Sequence, residues 1–334
     1  MKCFLPFLVL PALFLAACKK ADDAGTASGG AEKVTIALLP KSKGNQYFVN
    51  VEKGARAAAD EFGVELLFDG PTNTDPAKQN EIVENWITLG VDAIAAAAEN
   101  KEGLSTALKK AQAAGIKVVT YDSDTTPDSR AFFVNQATAE GIGHTLMDEA
   151  ARLIGDEGGE FAIITATLTA ANMNEWRRHI ETRLAEKYPR LTLVDTKPCD
   201  DQKDKAQQEA TNLLSAYPNL KCIMAICSPA VPGAAEAVKQ AGKVGTVKVL
   251  GLGLPSENRA YVKEGVTQAV ILWKVQDLGY LTIKAAADLV RGSLAPGATE
   301  FDGGKIGKIA VQGDNIVLGE PFIFTKENID QFEF

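Results

Sequence analysis

The stretch VTIALLPKSKGNQYFVNVEKGARAAADEFGVELLFDG (residues 34–70) decides the fold. Its opening, Val34–Pro40, is a short apolar run with β-branched residues, which reads as a buried strand. From Asn50 to Phe62 the apolar residues Val51, Ala55, Ala58 and Phe62 fall at helical spacing, and Gly63 ends the pattern. Val64–Gly70 is a second strand. Strand, helix, glycine, strand is the unit of a parallel sheet flanked by helices.

The unit repeats down the chain. Expected helices are 75–89 and 104–114, and expected strands are 92–98, 117–124 and 131–135. The cycle then restarts with a helix at 141–154. Strands at 160–166, 191–197, 221–227, 247–253 and 268–273 alternate with helices at 174–187, 205–217, 233–241 and 256–264. A last helix, 277–291, precedes short strands near 308–311 and 316–318 and a polar tail. No sequence repeat accompanies this repetition of elements. The expected fold is α/β: two doubly wound parallel-sheet lobes with a ligand cleft between them.

The first residues read as an address. One Lys precedes the apolar run Phe4–Ala17, too short to span a bilayer comfortably and suited to a signal-peptide core. It ends in Leu15-Ala16-Ala17-Cys18, which resembles a bacterial lipoprotein signal, with Cys18 as the acylated residue. An ordinary secretory signal with an incidental Cys is the alternative. Residues 19–33, rich in Ala, Gly, Ser and charge, read as a flexible tether.

Composition removes whole classes of function. Of 334 residues, 43 are acidic and 35 basic, and this net charge of −8 lacks the basic footprint of a nucleic-acid binder. Aromatics at 7% are too few for a base-stacking platform. With only two histidines, His144 and His179, both on expected helices, neither a multi-His metal site nor a catalytic triad can be assembled. No Walker A, dinucleotide fingerprint or G-x-S-x-G elbow is present. No metal and no cofactor are expected. Cys222 and Cys227 share one expected strand and cannot bridge each other. Cys199 could pair with either in an oxidising compartment, leaving an odd thiol.

In open α/β sheets ligands bind beyond the carboxyl ends of the strands. After the first strand stand Lys41, Asn45, Tyr47 and Phe48. Glu99 and Asn100 follow the third, and Asp122 and Asp124 the fourth. The second lobe offers Asn172, Asn174 and Trp176, then Ser228, then Trp273 and Asp277. Carboxylates, amides and flat aromatic faces together suit a sugar, whose hydroxyls donate and accept and whose C–H faces pack on rings. Each residue also has a plainer reading. Asp122 can cap a turn, Asn172 can be a loop amide, Trp176 can be core, Lys41 can be a solvated charge and Phe48 can staple a helix start.

The address, the two lobes and these residues together resemble the type 1 periplasmic sugar-binding proteins of ABC importers. Within that family the likeness is nearest to the rhamnose-binding and autoinducer-2-binding subgroup. The stretches that carry it are DGPT (69–72), TYDSDT (120–125), NMNEW (172–176), GLGLPSE (251–257) and FTKENIDQFEF (324–334). Lys41 and Asp122 match positions where autoinducer-2 receptors hold their ligand. Asn172-Met173 stands where those receptors carry Asp-Gln, and Ile226 and Ser228 where they carry Pro and Ala. GLGLPSE and DLGY (277–280) look more like rhamnose-binding proteins. A neutral monosaccharide, a rhamnose-like deoxyhexose first, is therefore the ligand expected, with autoinducer-2 the alternative.

The resemblance implies that Phe48 stacks on the ring, Asp122 grips hydroxyls and Trp273 lies at a lobe crossover. It implies three crossings, near Asn135, Trp273 and after Arg291. Residues 34–134 with 274–303 would form the N-terminal lobe, and 135–273 with 304–334 the C-terminal lobe. The implied protein is a monomeric, membrane-anchored extracytoplasmic lipoprotein that delivers sugar to an inner-membrane ABC permease. A sugar sensor for chemotaxis or signalling is the alternative of another class. An enzyme is disfavoured by the missing catalytic motifs. A repressor would need a DNA-binding domain where the leader stands.

Overall fold

The computed structural model describes Met1, Phe4 and residues 33–334, and its body is Lys33–Phe334. The rest of the leader, Cys18 and the tether up to residue 32 lie outside the described residues.

The first half of the body runs β1 (Thr35–Leu39), α1 (Gln46–Phe62), β2 (Glu65–Phe68), α2 (Pro76–Leu89), β3 (Ala93–Ala96), α3 (Lys101–Ala113), β4 (Lys117–Tyr121) and β5 (Phe132–Asn135). The second runs α4 (Ala139–Ile154), β6 (Gly159–Thr165), α5 (Ala171–Lys187), β7 (Leu191–Pro198), α6 (Lys203–Ala216), β8 (Leu220–Ala225), α7 (Ala230–Gln240), β9 (Lys248–Leu252), α8 (Pro255–Lys263) and β10 (Ala269–Leu272). Then follow α9 (Val275–Arg291), β11 (Glu300–Asp302), β12 (Lys308–Gln312), β13 (Asn315–Val317) and β14 (Phe322–Phe324).

Two sheets result, in the orders β11-β12-β13-β5-β4-β3-β1-β2 and β14-β10-β9-β8-β6-β7. Strands β1–β5 pair in parallel within the first sheet, and β6–β10 within the second. The central strands are apolar on both faces because helices cover both; β3 and β8 are buried almost throughout. This is the two-lobed α/β architecture read from the sequence.

Local signals set the edges of the elements. Helix α1 begins at Gln46, four residues before the helix start expected at Asn50, because Asn45 caps it by accepting a hydrogen bond from Tyr47 N at 2.9 Å. It ends at Gly63, whose φ of 62° suits a residue without Cβ. Helix α5 likewise starts at Ala171, so Asn172 and Met173 lie in its first turn. Tyr47, Phe48, Asn172 and Met173 thus stand on helices and not on loops.

The chain crosses between the lobes after β5, after β10 and between β13 and β14. The third crossing, residues 318–321, corrects the boundary expected at 304. Strand β13 pairs in parallel with β5 and β12 pairs antiparallel with β13, so residues 308–317 belong to the first sheet. These strands are too short and too polar to announce their partner. The tail is also less polar in effect than expected. Strand β14 adds antiparallel to β10, and Phe324 is buried against Phe322, Phe332 and Phe334.

Candidate functional site

The carboxyl ends of both sheets face each other across a cavity. From the first lobe it is lined by Lys41 after β1, Asn45, Tyr47 and Phe48 at the start of α1, Glu99 after β3 and Asp122 after β4. The second lobe supplies Asn172, Met173 and Trp176 from α5, Asp201 after β7, Ser228 after β8 and Trp273 after β10.

Three charged side chains of the first lobe are nearly sealed from solvent. Lys41, Glu99 and Asp122 are 4, 1 and 5% exposed. Such groups require partners. Asp122 sits at φ 58°, a left-handed backbone uncommon for a residue with a side chain. It is held there from two sides. Gln136 Nε2 donates to its carbonyl at 2.9 Å. Its Oδ1 accepts the Tyr47 hydroxyl at 2.9 Å, and the Tyr47 oxygen in turn accepts the Trp273 indole N–H at 2.9 Å. Trp273 and Tyr47 therefore use their polar atoms to aim Asp122 and offer the cavity their ring surfaces. Burial pushes the Asp122 pKa up to about 6. The negative neighbours Asp201 and Glu99 act in the same direction, against the Lys41 ammonium and the Tyr47 hydrogen bond. Burial also raises Asp201 above the ordinary carboxylate value.

The lobes are shut on each other by polar bonds. Lys41 Nζ donates to Asn172 Oδ1 at 2.8 Å, Asn45 Nδ2 to Asp201 Oδ2 at 2.6 Å, and Thr167 Oγ1 to Glu99 Oε1 at 2.6 Å. Asn172 Nδ2 also reaches Asp122 Oδ2 at 3.4 Å. The second oxygen of Glu99 is buried with no hydrogen bond and lies 3.9 Å from Lys41 Nζ. It is a spare acceptor in the cavity wall. Three carboxyl groups against one ammonium make the cavity a poor place for an anion and a good one for a donor-rich neutral molecule.

The rest of the wall is apolar. Phe48, Trp176 and Trp273 present rings, and Met173, Ile226 and Leu272 present aliphatic or thioether surface. Trp176 and Trp273 meet edge to face with centroids 6.2 Å apart, and Tyr47 lies edge-on to both Phe48 and Trp273. The rings brace one another, so each holds a fixed face to the cavity.

Ten of the residues singled out from the sequence thus line one cavity: Lys41, Asn45, Tyr47, Phe48, Glu99, Asp122, Asn172, Trp176, Ser228 and Trp273. Four others stand elsewhere, with a structural occupation for each. Asn100 caps α3 through Gly103 N at 2.7 Å. Asp124 is held by the Arg130 guanidinium, at 2.9 Å from Nε and 2.7 Å from Nη2. Asn174 Nδ2 donates to Leu168 O at 3.0 Å. Asp277 lies in the first turn of α9, among residues of the hinge. Asn100, Asp124 and Asn174 border an adjoining recess between the lobes instead. Asp201 was missed, although it follows a strand end like the others; its signal was the acidic pair Asp200-Asp201 that comes after Cys199 beyond β7.

Residues 36–294 match the family model of the periplasmic binding protein domain, which spans most of the chain. The chain belongs to that family. Among the relatives of this periplasmic binding protein is the D-ribose/D-allose-binding protein of Pseudomonas aeruginosa, 32% identical over 248 residues, covering 70% of this chain and 75% of the relative. The D-allose-binding periplasmic protein of Escherichia coli is 30% identical over 264 residues, covering 75% and 83%. Among solved structures, an ABC transporter solute-binding protein from Clostridium phytofermentas with bound L-rhamnose superposes with a TM-score of 0.84 at 32% identity. It covers 90% of this chain and 98% of that one. LsrB from Clostridium saccharobutylicum in complex with AI-2 gives 0.85 at 25% identity, covering 90% and 100%. These relatives are transport binding proteins and not enzymes. The periplasmic binding protein described here is accordingly a sugar-binding component of the ABC-importer kind and works outside the cytoplasm.

Proposed function

We propose that this chain encloses one neutral monosaccharide, a rhamnose-like 6-deoxyhexose in first place, and delivers it chemically unchanged to an ABC permease. The observation that carries the reading is the division of the cavity wall. Asp122, Asp201 and the free oxygen of Glu99 offer acceptors to hydroxyls, while Met173, Ile226 and Leu272 offer a seat for a methyl group. The L-rhamnose-bound relative, 32% identical over most of both chains, supports the same choice.

In this reading, an open form takes sugar on one lobe. The Asn172, Asp201 and Ser228 side then closes on it, because only the closed form satisfies both sets of groups. Phe48, Trp176 and Trp273 cover the ring faces. The permease reopens the lobes. Autoinducer-2 is the second reading, favoured by Lys41 and Asp122 and by the likeness to the AI-2-bound protein. The reading also places the protein as a monomer tethered by an acylated Cys18; Cys18→Ser should release it from membranes into the soluble fraction.

A thermal-shift series on the full chain tests the ligand. A ligand at one hundred times its Kd adds about 2.7 kcal/mol of stability. L-Rhamnose should raise Tm at lower concentration than D-ribose, D-allose or autoinducer-2. Stabilisation by autoinducer-2 with none by L-rhamnose would favour the second reading, and a response to none of them would refute both.

A further inference from the structure

The described residues hold three cysteines, all buried: Cys199, Cys222 and Cys227. Cys199 follows β7 and Cys227 follows β8, strands that flank β6 on either side. Their sulfurs lie 3.5 Å apart over the end of β6. We propose that Cys199 and Cys227 form a disulfide in the secreted protein, and that this bridge clamps the two loops presenting Asp201 and Ser228 to the sugar cavity.

Three observations converge on this pair. Closing the gap to a sulfur–sulfur bond of about 2.05 Å requires a movement of roughly 1.5 Å, within reach of side-chain rotation. Cys222 stands at the other end of β8, five residues from Cys227, or roughly 16 Å along an extended strand, and is no competitor. The family works outside the cytoplasm, where disulfides form and persist.

The neighbours of the bridge show what it would hold. Directly after Cys199, Asp200 and Asp201 both take left-handed backbone, at φ 50° and 56°, a turn that needs support. Asp201 accepts from Asn45 Nδ2 of the opposite lobe, and Ser228, next to Cys227, donates from Oγ to Asn45 Oδ1 at 3.3 Å. Both ends of the bridge thus adjoin a contact to one asparagine across the cleft. Burial and the adjacent Cys199 hold the Cys227 thiol well above its ordinary value, so it is a poor nucleophile in the folded site.

The oxidation takes place while the secreted chain folds and both thiols are accessible. One thiolate attacks the disulfide of a thiol oxidant, and that oxidant's first sulfur leaves as a thiolate. The second cysteine then attacks the mixed disulfide and releases the oxidant's other sulfur. Two electrons and two protons pass from the cysteines to the oxidant, which departs as the dithiol.

Peptide mapping of the secreted full chain tests the proposal. The protein is alkylated in denaturant without reductant and digested with trypsin. The expected product joins the peptide containing Cys199 to the one containing Cys222 and Cys227, with fragmentation placing the alkyl group on Cys222 and the bond on Cys227. Alkylation of both Cys199 and Cys227 before reduction, or a bond to Cys222, overturns it. For the clamp, melting in dithiothreitol should lower Tm by several degrees, and should leave a Cys199→Ala/Cys227→Ala variant unaffected. An unchanged wild-type Tm overturns the clamp, whether or not the variant folds.

Discussion

Asp122 combines a positive φ of 58° with a buried carboxyl of pKa about 6, and both disfavour the folded chain. The folded state holds the Asp122 proton more tightly than the unfolded state, where the value is near 3.8. Stability contributed by this group is therefore full below pH 3.8 and lost as pH rises to about 6. A shift of this size corresponds to about 3 kcal/mol at neutral pH. Asp122→Asn should thus stabilise the sugar-free protein by about 1–3 kcal/mol at pH 7, with the two proteins converging near pH 4, since Asn tolerates the left-handed backbone. Urea unfolding at both pH values reads this; a variant less stable at pH 7 would contradict it. Sugar affinity should fall at least roughly tenfold, because a charged acceptor becomes an amide. Tyr47→Phe should act differently. It leaves the Trp273 N–H and Asp122 Oδ1 without their shared partner, costing about 1–3 kcal/mol in an unfolding titration. Asp122 was legible because it closes a clear apolar strand. The role of Tyr47 as the link between Trp273 and Asp122 was not, because those three residues meet only when β4, α1 and β10 are assembled.

Among the elements, α1 and α9 show where sequence reading stops. Periodicity marks both helices but does not explain Gly54 and Gly279, since a glycine inside a helix lowers its propensity. In the fold they are where the two helices touch. A Cβ on Gly54 would fall 1.8 Å from Gln276 O, and one on Gly279 2.0 Å from Val51 O. That approach ties the helix after the second crossing back to the first lobe. Gly279→Ala should therefore cost about 1–3 kcal/mol net of its better helix propensity, measurable by urea unfolding. A more stable variant would show that the helices part easily. Strand and helix alternation was readable because buried parallel strands are short uniform apolar runs. Strands β11, β12 and β13 were hard to place because a strand of three to five residues carries no period that names its neighbour.

For the whole molecule, a cleft between lobes could be inferred from the repetition of α/β units alone, but its closure depends on pairs far apart in sequence. Thr167 and Glu99 meet across the cleft at 2.6 Å, and Thr167 does not line the cavity. Thr167→Val should lower the closed fraction without touching the sugar, weakening apparent binding roughly tenfold through loss of a hydrogen bond to a charged group. Calorimetric titration would show it, and unchanged affinity would mean that closure rests on other contacts. The central claim is that the closed lobes grasp a neutral sugar and return it unaltered. Equilibrium dialysis of the full chain against L-rhamnose, followed by heat release and mass analysis of the sugar, tests this directly. The account predicts one sugar per chain, recovered with unchanged mass. Failure to retain any sugar across a panel of neutral monosaccharides, or recovery of a converted product, would contradict it.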